Sequence, residues 1–274
     1  MKSFEVENFN LEYTLECGQF FRYKKVRDDD LYLVNYRDIL FLVRQEGKLL
    51  RYSKNVDETF VKRFFRLDDD MEEIYAVISS DDFLKKAIEK YKGLRLIRQD
   101  PWECMVSYIC SSASNIPKIQ MNIENLSQFF GRPIACKEFS SYSFPDVKSI
   151  SNFENIQQSK TGYRARYIHE VNDIVSEEYF NHLKKLDYDK SKSELVKLPG
   201  IGEKIADCIC LFSLNHLEAF PIDTWIAKAM KKIYGLKSDK YSDIVDFAIN
   251  KWGKYAGYAQ QYIYMKIRND ETRK

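Results

Sequence analysis

At 274 residues, 45% of them hydrophobic and 31% charged, the chain can bury a core sufficient for one large domain or two to three small ones, which excludes disorder. A formal net charge of +2 excludes a strong overall field, so a polyanionic partner has to be met by a local patch. Neither an apolar run of roughly 18 residues nor a secretory leader is present, and an intracellular protein is expected, cytoplasmic and nucleoid-associated in a bacterium or nuclear in a eukaryote.

From about Phe4 to Ser53 the runs FEVENFNLEYTL, GQFFRYKKV, LYLVNY and ILFLVR are β-rich or alternating, and RDDD, NYRD and QEGK punctuate them as hairpin turns. They predict an antiparallel sheet. Beyond Asn55 the period becomes helical in FVKRFFRL, MEEIYAVI and FLKKAIEKY. QDPWECMVSYICSS predicts a helix capped by Asp100 with Pro101 at its first position, and another runs from Asn115 to about Phe130 until Gly131 and Pro133 stop it. Residues 181 to 274 read as helices broken at Pro199 to Gly202, at Asn215 to Pro221 and at Gly235. The fold expected is α+β, with an N-terminal antiparallel sheet domain and flanking helices over 1–98 and a mostly helical region over 99–274. The six cysteines lack paired C-x-x-C spacing and read as reduced, packed side chains.

The stretch LPGIGEKIADC, Leu198 to Cys208, sits in a helix-hairpin-helix spanning about 191–213. Pro199 ends one helix; Gly200 and Gly202 strip the turn of side chains, so that bare backbone N–H groups at the next helix start can meet a phosphate. An ordinary helix turn would use the same glycines. The spacing fits neither a Walker loop nor a dinucleotide fingerprint. Lys204 follows in the first turn, where the macrodipole disfavours a cation. Cys208 shares its face, and Asp223, in FPIDTWIAKAM, opens a further helix as its N-cap. A carboxylate held by helix amides is expected to stay ionised, and an amine nucleophile beside a fixed anion suits a carbon that passes through a cationic state.

The order LPGIGEKIADC then FPID resembles the helix-hairpin-helix DNA glycosylases. QDPWECMVSYICSS, TGYRARY, ADCICLFSL, YAGYAQQYIY and LECGQFFRY narrow the resemblance to the 8-oxoguanine DNA glycosylases, from about Leu15 to Tyr264. The resemblance implies a bifunctional glycosylase and AP lyase on duplex DNA. Lys204 would attack the anomeric carbon and hold the sugar as a Schiff base, while Asp223 would stabilise the oxocarbenium-like transition state. Tyr163 would be the wedge that fills the hole left by the flipped nucleotide. Gly18 would offer a carbonyl to the extra N7 proton of the lesion, Gln260 would bind the Watson–Crick edge, and Cys208 and Tyr264 would sandwich the ring. Taken singly, each of these four also reads as ordinary structure: a bulge, a surface amide, a packed thiol and a core aromatic.

The departures from the animal-type pattern fall around the partner strand. Ala113 and Lys118 stand where asparagine and arginine are usual, Arg164 is retained, and Trp225 replaces a histidine that contacts phosphate. Alanine cannot bond a base and lysine lacks the guanidinium fork, so relaxed discrimination for cytosine opposite the lesion is expected. The resemblance implies no metal or cofactor for the chemistry. No cysteine follows Cys210, against the four of the iron-sulfur branch. Carbonyls of Lys197 to Gly202 leave room for a structural cation, on which the sequence is silent. A monomer without membrane contact is expected. Two alternatives stay open, a non-catalytic DNA-holding module and a monofunctional glycosylase for another purine; neither needs both Lys204 and Asp223.

Overall fold

The computed structural model describes residues 1–26 and 30–271. The elements run β1 (Lys2–Glu5), α1 (Leu11–Glu16), β2 (Tyr23–Val26), β3 (Leu31–Tyr36), β4 (Ile39–Glu46), β5 (Leu49–Tyr52), α2 (Glu58–Phe64), α3 (Met71–Ile78), α4 (Asp82–Lys90), α5 (Pro101–Ser111) and α6 (Ile116–Phe130). There follow β6 (Pro133–Cys136), β7 (Phe139–Tyr142), α7 (Phe153–Gln158), α8 (Arg164–Ile174), α9 (Glu177–Leu183), α10 (Tyr188–Leu195), α11 (Glu203–Ser213), α12 (Thr224–Tyr234), α13 (Tyr241–Trp252), a 3-10 turn at Gly253–Tyr255, and α14 (Ala256–Glu271). The α+β reading holds. Strands order as β1-β5-β4-β3-β2, all antiparallel, with Val34 opposite Phe41 and Val43 opposite Tyr52.

The apolar run Leu40 to Val43 is buried throughout because β4 is covered on both faces. Phe41 and Val43 turn toward Leu15, Val61 and Phe64, while Leu40 and Leu42 turn toward Ile134, Cys136 and Phe139 of the β6–β7 hairpin. That hairpin is absent from the sequence reading. A second difference lies at FEVENFNLEYTL, where the strand ends at Glu5 and LEYTLE is helix α1, capped by Asn10, whose side chain accepts from Tyr13 N at 2.8 Å. Of the RDDD turn, residues 27–29 lie outside the described residues.

The buried clusters do not divide at the expected boundary between 98 and 99. Met71, Ile74, Leu84, Ala87 and Leu96 belong to the same buried cluster as Ile205, Phe220 and Tyr262 of the helical region, whereas the sheet's own cluster stops at Val61, Phe64, Phe65 and Ile97. The chain returns: Tyr75 and Tyr262 hydroxyls meet at 3.2 Å, and Tyr258 OH donates to Asp69 Oδ2 at 2.6 Å, which ties α14 to the first ninety residues. The six cysteines are all free and buried. Among the described residues no helix is long and apolar enough to cross a membrane.

Sheet and helices are joined by one buried carboxyl. Glu103, in the first turn of α5, accepts from Arg37 N at 3.0 Å and lies 3.9 Å from Arg22 Nη1. Burial pushes its pKa up to about 7, against the opposing pull of Arg22. Because the folded-state value exceeds the unfolded one, about 4.3, the folded protein holds this proton more tightly. The stability it contributes is fully present at acid pH and is lost as pH rises through about 7. Thermal denaturation followed between pH 5 and pH 7.5 should show a flatter pH dependence in Glu103→Gln than in the parent. An unchanged slope would remove Glu103 from the account.

Candidate active site

The helix α11 starts where Gly202, extended at φ −91°, replaces a side-chain cap, and it buries Ile205, Cys208, Ile209 and Phe212 against α5. Tyr108 of α5 stacks on Phe212 at 5.6 Å between ring centroids and an interplanar angle of 6°. This contact sets the two helices side by side and fixes where the half-buried Lys204 can reach. Its Nζ donates to Ser111 Oγ at 3.0 Å and stands 5.3 Å from the Tyr108 ring centroid. The amine is therefore placed by two helix ends of opposite polarity, the N-terminus of α11 and the C-terminus of α5, whose negative end favours a cation.

Asp223 is the N-cap of α12, Oδ1 accepting from Ile226 N at 2.8 Å. Capping and a chemical role are thus compatible in one carboxylate. Its pKa is raised by burial, with the capping amide of Ile226 and the charge of Lys204 opposing. Desolvation outweighs the helix amides in setting the direction of that shift. Cys208 senses both charges: burial lifts its thiol to about 12, Lys204 lowers it and Asp223 raises it. Lysine, thiol and carboxylate are therefore close neighbours.

The remaining base-recognition candidates converge on the same place from the other side. Gly18 adopts φ +86°, a conformation that L side chains rarely take, and a Cβ there would lie 3.5 Å from Tyr264 OH. Gln19 holds its loop: Nε2 donates to Arg95 O at 2.7 Å, Oε1 accepts from Ile97 N at 2.8 Å, and its carbonyl accepts from Tyr108 OH at 3.0 Å. From α14, Gln261 donates to Cys17 O at 3.2 Å and Arg268 to Glu16 O at 3.0 Å. Burial raises the Tyr264 phenol, and the Asp223 carboxylate adds to that rise, which ties the ring to the nucleophile's surroundings. Gln260, 6% exposed, donates to Pro221 O at 3.1 Å while its Oε1 stays buried without a protein partner. An acceptor left in that state costs free energy unless something else meets it.

The partner-strand candidates form a separate group around the loop after α5. Tyr163 is 58% exposed at the start of α8, its hydroxyl donating to Ser112 Oγ at 3.2 Å. Ala113 is exposed at φ +45° and Lys118 is exposed on α6. Arg164, expected among the partner-strand contacts, is turned inward. It is 4% exposed, and its guanidinium donates to the carbonyls of Ser112, Thr161 and Ala113. Trp225 is half-buried against the main core, with Lys228 Nζ 5.9 Å from its ring centroid.

Sequence reasoning passed over Ser111 and Tyr108, and it passed over Asp207. Asp207 is fully buried and accepts from Tyr188 OH at 2.8 Å, Lys192 Nζ at 3.0 Å and Tyr241 OH at 2.7 Å. Tyr241 OH in turn accepts from Ile222 N at 3.2 Å, one residue before Asp223. The only sequence signal for it was an aspartate on the apolar side of ADCICLF.

The family model "8-oxoguanine DNA glycosylase, N-terminal domain" matches residues 3–105. A probable N-glycosylase/DNA lyase of Methanothermobacter thermautotrophicus is 28% identical over 96% of this chain and 95% of its own length. Among solved structures, the 8-oxoguanine glycosylase/lyase of Clostridium acetobutylicum, in complex with double-stranded DNA containing cytosine opposite 8-oxoG, is 31% identical with a TM-score of 0.91, covering 97% of this chain and 94% of that one. MBOgg1 in complex with a low-affinity DNA ligand is 32% identical with a TM-score of 0.92, covering 98% and 96%. The chain belongs to the 8-oxoguanine DNA glycosylase family.

The two hairpin glycines should respond differently to substitution. Gly200 adopts φ +75° and a Cβ would meet Tyr167 Cγ at 2.5 Å, whereas nothing lies within 4 Å of a Cβ on Gly202. Gly200→Ala should cost on the order of 1–3 kcal/mol in denaturant unfolding. Gly202→Ala should unfold within about 0.5 kcal/mol of the parent, yet bind duplex DNA more weakly if a phosphate approaches that amide. Equal losses of stability in both variants would contradict this geometry.

Proposed function

We infer that the chain is a bifunctional DNA glycosylase and AP lyase that excises 8-oxoguanine from duplex DNA in base excision repair. The observation that carries the reading is a lysine in the first turn of α11, held at its Nζ, beside a half-buried carboxylate that also caps α12. Neutral Lys204 attacks C1′ of the flipped nucleotide as the C–N bond to the base breaks. The departing base is protonated, the amine gives up one proton, and the sugar ring opens at C1′–O4′, with O4′ taking up a proton, as the C1′–N bond becomes a protonated Schiff base. Abstraction of a proton from C2′ then expels the 3′ phosphate and nicks the strand. Asp223 stabilises the cationic sugar as it develops, a task suited to a carboxylate in a low-dielectric setting.

Gly18 O, Gln260 Oε1 and the faces of Cys208 and Tyr264 read the flipped base, with Tyr163 entering the vacated stack. The unmet acceptor on Gln260 is what such an edge contact would satisfy. Gly200 and Gly202 offer amides to a phosphate near the hairpin, and Lys228 over the Trp225 ring supplies a cation on α12. Each named group comes from one polypeptide, so the reading requires only a monomer, working inside the cell wherever duplex DNA is kept. No cofactor enters this chemistry. The Leu198 carbonyl accepts from Ile201 N at 3.2 Å and keeps a second lone pair, so it stays among the hairpin carbonyls open to a cation.

A labelled duplex with 8-oxoguanine opposite cytosine, treated with borohydride, should yield a covalent adduct and a nicked strand with the parent and neither with Lys204→Gln. Binding without adduct or base release would return the chain to a DNA-holding module. Asp223→Asn should keep duplex affinity while single-turnover excision falls by roughly a hundredfold or more.

Discrimination for the opposite cytosine is relaxed in this reading, since Ala113 has no hydrogen-bonding side chain, Arg164 is committed to backbone carbonyls and Lys118 is a point charge. Excision rates opposite C, A, G and T should then spread over about tenfold or less, against the 1–3 kcal/mol that a bidentate base contact commands. A collapse opposite A, G and T with full activity opposite C would refute it.

A further inference from the structure

We propose that Ser111 is a positioning residue for the amine of Lys204, an assignment that rests on the glycosylase/lyase reading above. Ser111 is the last residue of α5, and its hydroxyl proton is already committed, Oγ donating to Tyr108 O at 2.7 Å. What remains on Oγ is acceptor capacity. The contact with Lys204 Nζ at 3.0 Å therefore has a fixed direction: nitrogen donates, serine accepts. A neutral amine has two N–H bonds and one lone pair, so using one N–H at Ser111 restricts where the lone pair can point. The hydroxyl does not titrate near neutral pH, so it can hold the amine before and after proton loss, which a carboxylate partner would resist by favouring the ammonium form.

The alternative for a lysine on a half-exposed helix start is free rotation about four side-chain bonds. Two further contacts limit that freedom. The Tyr108 ring, one turn before Ser111, presents its face 5.3 Å from Nζ and is itself pinned by its hydroxyl on Gln19 O and its stack on Phe212. The chain immediately after Ser111 is held from the opposite side, Arg164 Nε donating to Ser112 O at 2.9 Å and Tyr163 OH to Ser112 Oγ at 3.2 Å. The serine is thus built in from both directions and is not a surface hydroxyl that happens to lie near.

The test compares parent, Ser111→Ala and Ser111→Thr on the 8-oxoguanine duplex. It reads duplex Kd, thermal midpoint, the single-turnover rate of base release at saturating enzyme, and the borohydride adduct. Ser111→Ala should lower the saturating rate by roughly ten- to a hundredfold with Kd and midpoint unchanged, as a misplaced nucleophile does. Ser111→Thr, which keeps the acceptor, should restore most of it. A Ser111→Ala rate within twofold of a trapping parent overturns the assignment and leaves the enzyme reading intact. So does a loss that Kd or midpoint shares, or one that threonine fails to restore. A parent that neither releases base nor forms the adduct overturns the enzyme reading itself, and the role of Ser111 falls with it.

Discussion

The stack of Tyr108 on Phe212 is the contact from which the rest of the site is laid out. It is a buried, nearly parallel aromatic pair between α5 and α11, and such pairs have little freedom to slide because their neighbours fill the surrounding space. With the two helices fixed side by side, the end of α5 and the start of α11 come together, and Lys204 bridges them. The phenol hydroxyl of the same tyrosine reaches Gln19 O, so the loop containing Gly18 is referenced to the same ring. Lys204 and the loop of Gly18 are thus placed by opposite ends of one side chain.

The second placing device is electrostatic. Asp207 gathers three donors inside the protein, and Tyr241 passes that fixation to the amide of Ile222, beside Asp223. A buried carboxylate tolerates desolvation only when its lone pairs are met, and here Lys192 and two phenols meet them. Asp223 lives under different terms. Burial works against its charge, and the capping amide of Ile226 first and Lys204 second offset it. One aspartate is saturated and holds structure; the other is left poised beside a cation.

Local signals carried far in this chain. Asp100 with Pro101, Asn115, and Asp223 after Pro221 each announce a helix start, and each is found capping the helix expected. Those are short-range effects of one side chain on nearby amides, so they survive without tertiary information. Asn10 is the same device, but β-rich neighbours in FEVENFN masked it, and α1 read as strand. The β6–β7 hairpin went unread because Pro133 to Tyr142 is short and weakly apolar, and it gains its stability from covering Leu40 and Leu42 in a distant strand. The packing of α3 and α4 was hidden for a similar reason: their amphipathic faces fit a sheet or a helix bundle equally, and only the return of α14 decides between them. Within the site, Lys204, Asp223 and the glycines were legible through spacing. Ser111 and Arg164 were not, because what matters is their partners, Lys204 and the Ser112 carbonyl, which lie far off along the chain.

The buried cysteines carry one more consequence. Burial raises the thiols of Cys17 to about 11 and of Cys110 and Cys208 to about 12, and it lifts those of Cys104 and Cys210 as well. Peroxides and electrophiles react with thiolate, and at neutral pH these side chains hold almost none. A chain whose lesion arises when cellular guanine is oxidised carries these five thiols in the form slowest to share that fate, so oxidant bursts that multiply its substrate should leave Cys208, on the helix of Lys204, reduced.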